Sequence, residues 1–263
     1  MQYATWNVNS LSVRLPQVLD WLAANPVDVL ALQELKLTDE NFPFEAFLQI
    51  GYQAQCFGQK TYNGVALLSR TPAVDVVKNI PGFADDMARV ISGTVGEGDA
   101  SVRVVGAYMP NGQAPGTEKF EYKMEWFKGL RQWLKQELLR YPRLLLMGDF
   151  NITFDDADVW DPQGMRDQIH CTEEERYHLR ALLALGLSDS LRLFPQPPKT
   201  PKTFSWWDYR DQGFKRNRGL RIDHILVSPA LKERVRSCHI DKTPRKNDRP
   251  SDHAPVVVEI GGM

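Results

Sequence analysis

The stretch Leu144-Leu145-Leu146-Met147-Gly148-Asp149-Phe150-Asn151 reads as a strand, Leu144–Phe150, whose apolar run gives way to an acid and an amide. That run, like the other apolar stretches, is far short of the roughly 20 residues a bilayer crossing takes. Tyr3–Val8, Val27–Gln33, Gly64–Ser69, Arg89–Val95, Val102–Met109, Arg221–Ser228 and Pro255–Ile260 are further expected strands. Leu15, Val18, Leu19 and Leu22 recur at helical spacing and predict a helix over Leu15–Ala24, with Pro16 near its first turn. Phe120, Met124, Phe127, Leu130, Leu134 and Leu138 form the apolar stripe of a long helix over Glu118–Leu139. Thr172 and Glu175 have capping-box spacing and open a helix that runs to about Leu185. Segments 151–171, 195–220 and 241–252 lack such periodicity, and long loops in a compact domain tend to carry function. No repeat or flexible linker divides the chain, so residues 1–263 are expected to form a single domain. Many strands with few helices suit two packed sheets covered by helices.

The 263 residues are 43% hydrophobic and 25% charged, the profile of a soluble globular protein that buries a core without staples. The N-terminus shows no basic segment followed by an apolar one, as a secretory signal would. Cys56, Cys171 and Cys238 lie far apart, and no Cys-x-x-Cys pair occurs. An odd, scattered count argues against a disulfide framework or zinc knuckle and for thiols in a reducing compartment. Net charge is −1, yet Lys199–Arg249 holds 14 Lys/Arg against 6 Asp/Glu, a local +8 that leaves −9 elsewhere. This asymmetry fits one face suited to a polyanion or, equally, a solvated loop region.

Polar residues interrupt the strands at recurring places. Asn7 and Asn9 end the first strand, Glu34 the second, Tyr108 another, and Asp149 and Asn151 a fourth. Asp223 lies in Arg221-Ile222-Asp223-His224, and Asp252-His253 precede the last strand. A single Asp or Asn at a strand end is ordinarily a turn residue or helix cap. Six such positions on six strands change that reading, because strand ends directed to one sheet edge gather them into one pocket. The residue types share a chemistry. Magnesium takes oxygen ligands, keeps several waters and needs only one or two carboxylates. Glu34 supplies one, with Asp252, Asn7 and Asn9 as nearby candidates. Phosphodiester hydrolysis also needs an oriented water, a base and stabilisation of phosphate charge. A His–Asp pair orients and charges an imidazole, and Asn and Tyr side chains donate to developing negative charge.

The runs Trp6-Asn7-Val8-Asn9, Leu32-Gln33-Glu34, Tyr108-Met109-Pro110-Asn111-Gly112, Gly148-Asp149-Phe150-Asn151, Arg218-Gly219-Leu220-Arg221-Ile222-Asp223 and Ser251-Asp252-His253-Ala254-Pro255 occur in this order. Together, spanning Trp6 to Pro255, they resemble the exonuclease III / AP endonuclease family of deoxyribonuclease I-like phosphodiesterases. The resemblance implies an α/β (α+β) fold, a four-layer sandwich of two packed, mostly antiparallel β-sheets flanked by helices. It implies a Mg2+-dependent DNA-repair hydrolase, with Mn2+ substituting, that acts as a monomer on 3′ ends or abasic sites of double-stranded DNA. The implied location is cytoplasmic, with the nucleoid if the source is bacterial, and no membrane partner is expected.

The resemblance also implies roles. Glu34 is the principal metal ligand, with Asn7, and Asp252 at longer range, around the ion; Asn9, Asp149, Asn151 and His253 complete the candidate metal set. Asp149 positions or deprotonates the attacking water, and Asn151 helps hold it and the phosphate. His253, oriented by Asp223, contacts the scissile phosphate or is itself the base. Tyr108 donates to the phosphate or assists the leaving oxygen. Phe204-Ser205-Trp206-Trp207-Asp208-Tyr209-Arg210 resembles the family's aromatic wall for an extrahelical sugar, with Trp206 and Leu220 assigned to the pocket and Trp207 to the core. Arg89 matches a family arginine near the DNA backbone, and Lys36 and Asn111 are further DNA-contact candidates.

His170 departs from the pattern, standing where glycine or serine is usual, on a loop expected to border DNA. One reading is a harmless surface histidine. The other is that its bulk blocks the bent, flipped-out DNA that internal cleavage needs, since such distortion costs a few kcal/mol. Strong 3′-exonuclease and 3′-phosphatase activity with weak AP endonuclease activity is then expected. Ala114, where one eukaryotic-type member inserts an arginine, weakens major-groove clamping. His178, His224 and His239 receive no role: His224 should point opposite to Asp223, and His178 should lie on a helix surface. The rival function is a phosphatase or phosphodiesterase of the same superfamily acting on lipid or inositol phosphates. A DNA-binding module without turnover is disfavoured because every expected polar position is present.

Overall fold

The computed structural model describes residues 1–195 and 200–262. In chain order the strands are β1 (Gln2–Asn7), β2 (Val29–Gln33), β3 (Gln53–Phe57), β4 (Val65–Ser69), β5 (Val74–Lys78), β6 (Val90–Val95), β7 (Val102–Tyr108), β8 (Leu144–Asp149), β9 (Ser188–Asp189), β10 (Trp206–Trp207), β11 (Gly219–Leu220), β12 (Asp223–Val227), β13 (Val235–Ile240) and β14 (Val256–Ile260). The helices are α1 (Leu11–Ala24), α2 (Phe44–Gln49), α3 (Glu118–Arg140), α4 (Glu173–Leu183) and α5 (Pro229–Lys232). One six-stranded sheet runs β13-β14-β1-β2-β4-β3, the other β5-β6-β7-β8-β12-β9. Among the described residues, only β1·β2 and β7·β8 pair in parallel; the other strand pairs are antiparallel.

Strand parity sorts the side chains into layers. Tyr3, Val29, Ala31, Val65 and Leu67 of the first sheet pack against Val102, Val104, Leu145, Met147, Ile225 and Val227 of the second. The opposite faces are covered by helices. Ala4, Trp6, Leu30 and Leu32 meet Val18, Trp21 and Leu22 of α1, while Val105, Leu144 and Leu146 meet Trp126, Phe127 and Leu130 of α3 and Leu179 of α4. The four layers are helix, sheet, sheet, helix, as expected.

The same parity carries polar residues to one end of the inner layer. Asn7 follows Tyr3 and Thr5, Tyr108 follows Val102 and Val104, and Asp149 follows Leu145 and Met147. Asp223 precedes Ile225 and Val227, and β12 runs antiparallel to β8, so it reaches the same end. Tyr108 and Asp223 both lie in register with Asp149 on neighbouring strands. Gly148 lets the strands close here. A Cβ at Gly148 would stand 1.8 Å from the Ala107 carbonyl oxygen.

Several expectations shift. Helix α1 begins at Leu11, so Pro16 lies in its second turn, where it removes a helical N–H. Strands β3, β5 and β13, and helix α2, were not expected from the periodicity. The three strands are sheet edges with half-exposed, mixed side chains, so they lack an apolar signature. Residues 196–199 of the expected loop 195–220, including Lys199, and Met263 of the expected 1–263 domain lie outside the described residues. Among the described residues, all three cysteines are free and no helix is long and apolar enough to cross a membrane.

Candidate active site

Asn7 joins the site together. Its side-chain nitrogen donates to Glu34 Oε2 and to Asp149 Oδ2, each at 2.9 Å, while its oxygen accepts from the Asn9 backbone at 2.9 Å. One amide therefore sets two carboxylates side by side across the sheets. Glu34 reaches this place because the chain turns sharply after β2, with Glu34 at φ 58° and Lys36 at φ 57°. Asn9 and Asn151 also hold positive φ. A left-handed backbone is uncommon outside glycine and costs of order 1 kcal/mol, and such residues cluster at functional sites.

Beyond Asp149 stands a His–Asp pair. His253 Nδ1 lies 2.8 Å from Asp223 Oδ2, and His253 Nε2 lies 3.7 Å from Asp149 Oδ2. Ligating atoms of Asp149, Asp223 and His253 all fall within 4.8 Å of one another, a group able to hold a metal ion. The three side chains are buried. Burial pushes the Asp149 carboxyl up to about 7, with Asp223 adding to the rise and His253 opposing it. For His253, burial disfavours the charge, but Asp223 and Asp149 outweigh it and raise the imidazole to about 10. Burial, with Glu34 and Asp149 nearby, holds the Tyr108 hydroxyl far above its ordinary range, so it keeps its proton.

The segment carrying Asp252 and His253 is tied down from several sides. Ser251 Oγ donates to the Asn7 carbonyl at 2.7 Å and accepts from the His253 backbone at 3.2 Å. Asp252 Oδ1 accepts from Asn9 at 2.9 Å, and Asp252 Oδ2 accepts from Trp206 Nε1 at 2.9 Å. Lys36, expected to contact DNA, reaches into the oxygen cluster. Its ammonium lies 2.7 Å from Asn9 Oδ1 and 3.0 Å from Glu34 Oε1. Asn9 is thus held between Asp252 and Lys36.

Other candidates line the rim. Trp206 is half-buried and pairs with Leu220 across the β10–β11 hairpin. Leu220 is 1% exposed, packed with Val159, Cys171 and Ile222, so it supports Trp206 from behind instead of lining a pocket. Trp207 is in the core. Arg89 donates to Tyr122 Oη at 3.1 Å and to the Tyr108 carbonyl at 3.3 Å, its guanidinium 5.2 Å from the Tyr108 ring centre. It borders a groove of about 640 Å³ with Tyr62, Tyr108, Asn111 and Lys119. Asn111 is exposed and its amide nitrogen lies 3.4 Å from Asn151 Oδ1.

Two histidines sit elsewhere than expected. His170 is not on the surface: it is 7% exposed, at φ 74°, with Nδ1 2.6 Å from the Asn151 carbonyl. Positive φ turns its ring inward to this carbonyl, and the buried Glu175 accepts from its backbone N–H at 3.0 Å. His178 is buried too, 6.0 Å from the Phe127 ring, because the α3–α4 contact extends over it. His224 points away from Asp223, as expected, with Nε2 2.9 Å from the Ile152 carbonyl.

Residues 4–253 match the Endonuclease/Exonuclease/phosphatase family. The exodeoxyribonuclease III of Haemophilus influenzae is 35% identical over 272 aligned residues, covering 99% of this chain and 100% of that protein. Among solved structures, a Neisseria 3′ phosphatase, NExo, bound to a product DNA hairpin superposes with TM-score 0.95 at 46% identity, with both chains covered in full. An AP endonuclease from Archaeoglobus fulgidus gives 0.92 at 33% identity over 99% of each chain. The chain belongs to this family. Within it the chain falls in the exonuclease III / AP endonuclease group, and it is a DNA-repair hydrolase of phosphodiester bonds.

For a member of the exonuclease III group, the sequence reading missed several buried ion pairs among the described residues, two of them next to the loop that follows β8. Arg221 was read only as part of a motif. It bridges Asp158, at 2.7 and 3.1 Å, to Asp189, at 2.7 Å, and so ties the loop after β8 to β9 and β12. Lys123 and Glu175 form the second, at 2.5 Å. Glu175 was read as half of a capping box, which it is, but nothing in the periodicity links it to Lys123. The basic segment also proves divided. Residues 210–218 join β10 to β11 at the site end, Lys232–Arg236 lie at the far end of β12, and Arg221 and Arg245 are buried.

Proposed function

We propose that residues 1–263 act as one monomeric domain, cytoplasmic in location, that hydrolyses 3′ ends of duplex DNA with Mg2+, Mn2+ substituting. We infer that 3′-exonuclease and 3′-phosphatase activities exceed cleavage at internal abasic sites. The observation that carries this reading is the Asn7 amide shared between Glu34 and Asp149, which sets a carboxylate suited to a hard cation beside one suited to activating water.

The donor set fits a divalent ion. Glu34, Asp149 and Asp252 offer carboxylate oxygens, and the Lys36 ammonium already lies among the oxygens of Glu34 and Asn9, where a positive charge is favoured. Glu34 would hold the ion, with Asn7, and Asp252 at longer range, beside it. The bound ion supplies neutralisation of charge on the phosphate oxygens. Asp149 takes a proton from the attacking water, and with its carboxyl raised to about 7 the base form is available near neutrality. Asn151, whose backbone N–H is 2.9 Å from Asp149 Oδ1, holds the water and the phosphate. His253, at about 10, stays an imidazolium and offers Nε2–H to the scissile phosphate while Asp223 fixes Nδ1. That charge state favours Asp149 over His253 as the base. Tyr108 donates its retained proton to the phosphate or leaving oxygen.

The 46% identical Neisseria protein is described as a 3′-5′ exonuclease and as a 3′ phosphatase, which supports 3′-end processing as the main activity. His170 acts here by stiffening the Asn151 loop from behind. A rigid loop resists the adjustment that bent, internally cut DNA asks of it. The test compares release from a recessed 3′ end, a 3′-phosphate and an internal abasic analogue, first with Mg2+ and then with EDTA. The first two should turn over faster than the third, and EDTA should stop all three. Replacing His170 by Gly, which accepts positive φ without strain, should raise internal cleavage relative to 3′ release. No gain in a folded H170G variant removes the role assigned to His170. Turnover of inositol or lipid phosphates with none of DNA overturns the reading altogether.

A further inference from the structure

Two asparagine loops at the rim of the site rest on one buried ammonium. Lys123 projects inward from α3 and is wholly buried. Its Nζ donates to the Asn111 carbonyl at 3.0 Å, the Asn151 carbonyl at 2.7 Å and Glu175 Oε1 at 2.5 Å. Glu175, equally buried, also accepts from the His170 backbone at 3.0 Å and, through Oε2, from Thr172 N at 3.1 Å and Thr172 Oγ1 at 2.8 Å. The three protons of a single ammonium thus bind two loops and the first turn of α4.

The surroundings are shaped to receive it. At Gly112 a Cβ would stand 2.8 Å from Lys123 Cδ, so the glycine leaves room for the lysine stem. The Asn151 carbonyl is shared with His170 Nδ1 at 2.6 Å. A carbonyl only accepts, so His170 carries its proton on Nδ1. Above this floor the Asn111 and Asn151 side chains meet at 3.4 Å, and the Asn151 N–H reaches Asp149 Oδ1. Packing alone does not account for a buried ion pair, because apolar residues of similar volume are often as stable or more so. Among side chains, lysine alone offers three donors from one atom and no acceptor.

We propose that Lys123, seated by Glu175, is a positioning residue for phosphodiester hydrolysis: it fixes the backbones of Asn111 and Asn151 and, through the Asn151 N–H, the carboxylate of Asp149. The inference rests on the reading of Asn151 and Asp149 as catalytic groups. A displacement of about 1 Å in such groups costs about 100-fold in rate.

The test measures kcat and KM on a recessed 3′ end at saturating Mg2+, together with Tm. It uses the Lys123→Met/Glu175→Gln double variant, Glu175→Gln alone and Asn151→Ala. The double variant removes both charges at once, so no ion is left buried without a partner. It should keep its Tm within a few degrees and its KM within about threefold while kcat falls about 10- to 100-fold. Glu175→Gln, which keeps both lysine–carbonyl bonds, should lose much less kcat than the double variant. An unchanged kcat per folded molecule in the double variant, whether or not its Tm falls, overturns the proposal if Asn151→Ala has lost activity. Full activity in Asn151→Ala overturns the site reading itself and this proposal with it.

Discussion

Replacing Asp223 by Asn isolates the electrostatic part of the site. Asn keeps an accepting oxygen towards His253 Nδ1, now 2.8 Å away, but removes the charge. In the unsubstituted protein the His253 imidazole is raised from 6.5 to about 10, with Asp223 the foremost of the groups that raise it against burial. At pH 8.5 nearly every His253 ring is therefore charged. If loss of Asp223 returns the midpoint to 6.5, only about one ring in a hundred is charged at that pH, a loss of about 100-fold in rate, or about 2.7 kcal/mol. At pH 6 about three quarters of the rings remain charged, and the deficit shrinks to less than about twofold on this account alone. The Asp223 charge also raises Asp149, so its removal frees the base at lower pH and narrows the gap further. The assay is single-turnover release of a 3′ nucleotide from a recessed end between pH 6 and 8.5 at saturating Mg2+. A variant-to-wild-type ratio that falls steeply with rising pH supports the imidazolium role. A ratio independent of pH refutes it and leaves Asp223 as a geometric support only.

Three further outcomes follow from other parts of the molecule. Glu34→Gln should raise the Mg2+ concentration for half-maximal rate at least about tenfold, and an unchanged requirement contradicts Glu34 as a ligand. Arg221→Met takes from Asp158 and Asp189 their buried cation and leaves them only the more exposed Arg192, at 2.9 and 3.6 Å, so unfolding in urea should show a loss of about 3 kcal/mol. A loss below about 1 kcal/mol would mean the pair is solvated or neutral. Rate against pH should rise through about 7 as Asp149 loses its proton and fall above about 10 as His253 loses its own. A rate that falls through pH 7 would mean that Asp149 works in its protonated form and would remove it as the base.

Central strands were legible because both of their faces are buried, which leaves long apolar runs such as Leu144–Met147. Edge strands β3, β5 and β13 were not, since a half-exposed strand mixes polar and apolar residues without a firm period. Asn7, Tyr108, Asp149 and Asp223 stood out because strand ends that should turn to water instead carry groups with one shared chemistry. Their convergence follows from the period of two and the register of β7, β8 and β12, which no local pattern reveals. Lys123–Glu175 and Arg221–Asp158 were beyond sequence reading for a different reason. Their partners lie 52 and 63 residues apart, and a buried charge looks like a surface charge until its partner is known. The inward turn of His170 likewise depends on a positive φ and on Glu175 beneath it.

Mn2+ titration followed by electron paramagnetic resonance, with and without a duplex bearing a 3′-phosphate, tests whether Glu34 and Asp149 gather round a cation that the phosphate shares. The unsubstituted protein should bind Mn2+ more tightly when the duplex is present, and the Glu34→Ala, Asp149→Ala double variant should lose both the binding and its enhancement. Equal Mn2+ binding and equal enhancement in the double variant would contradict the account.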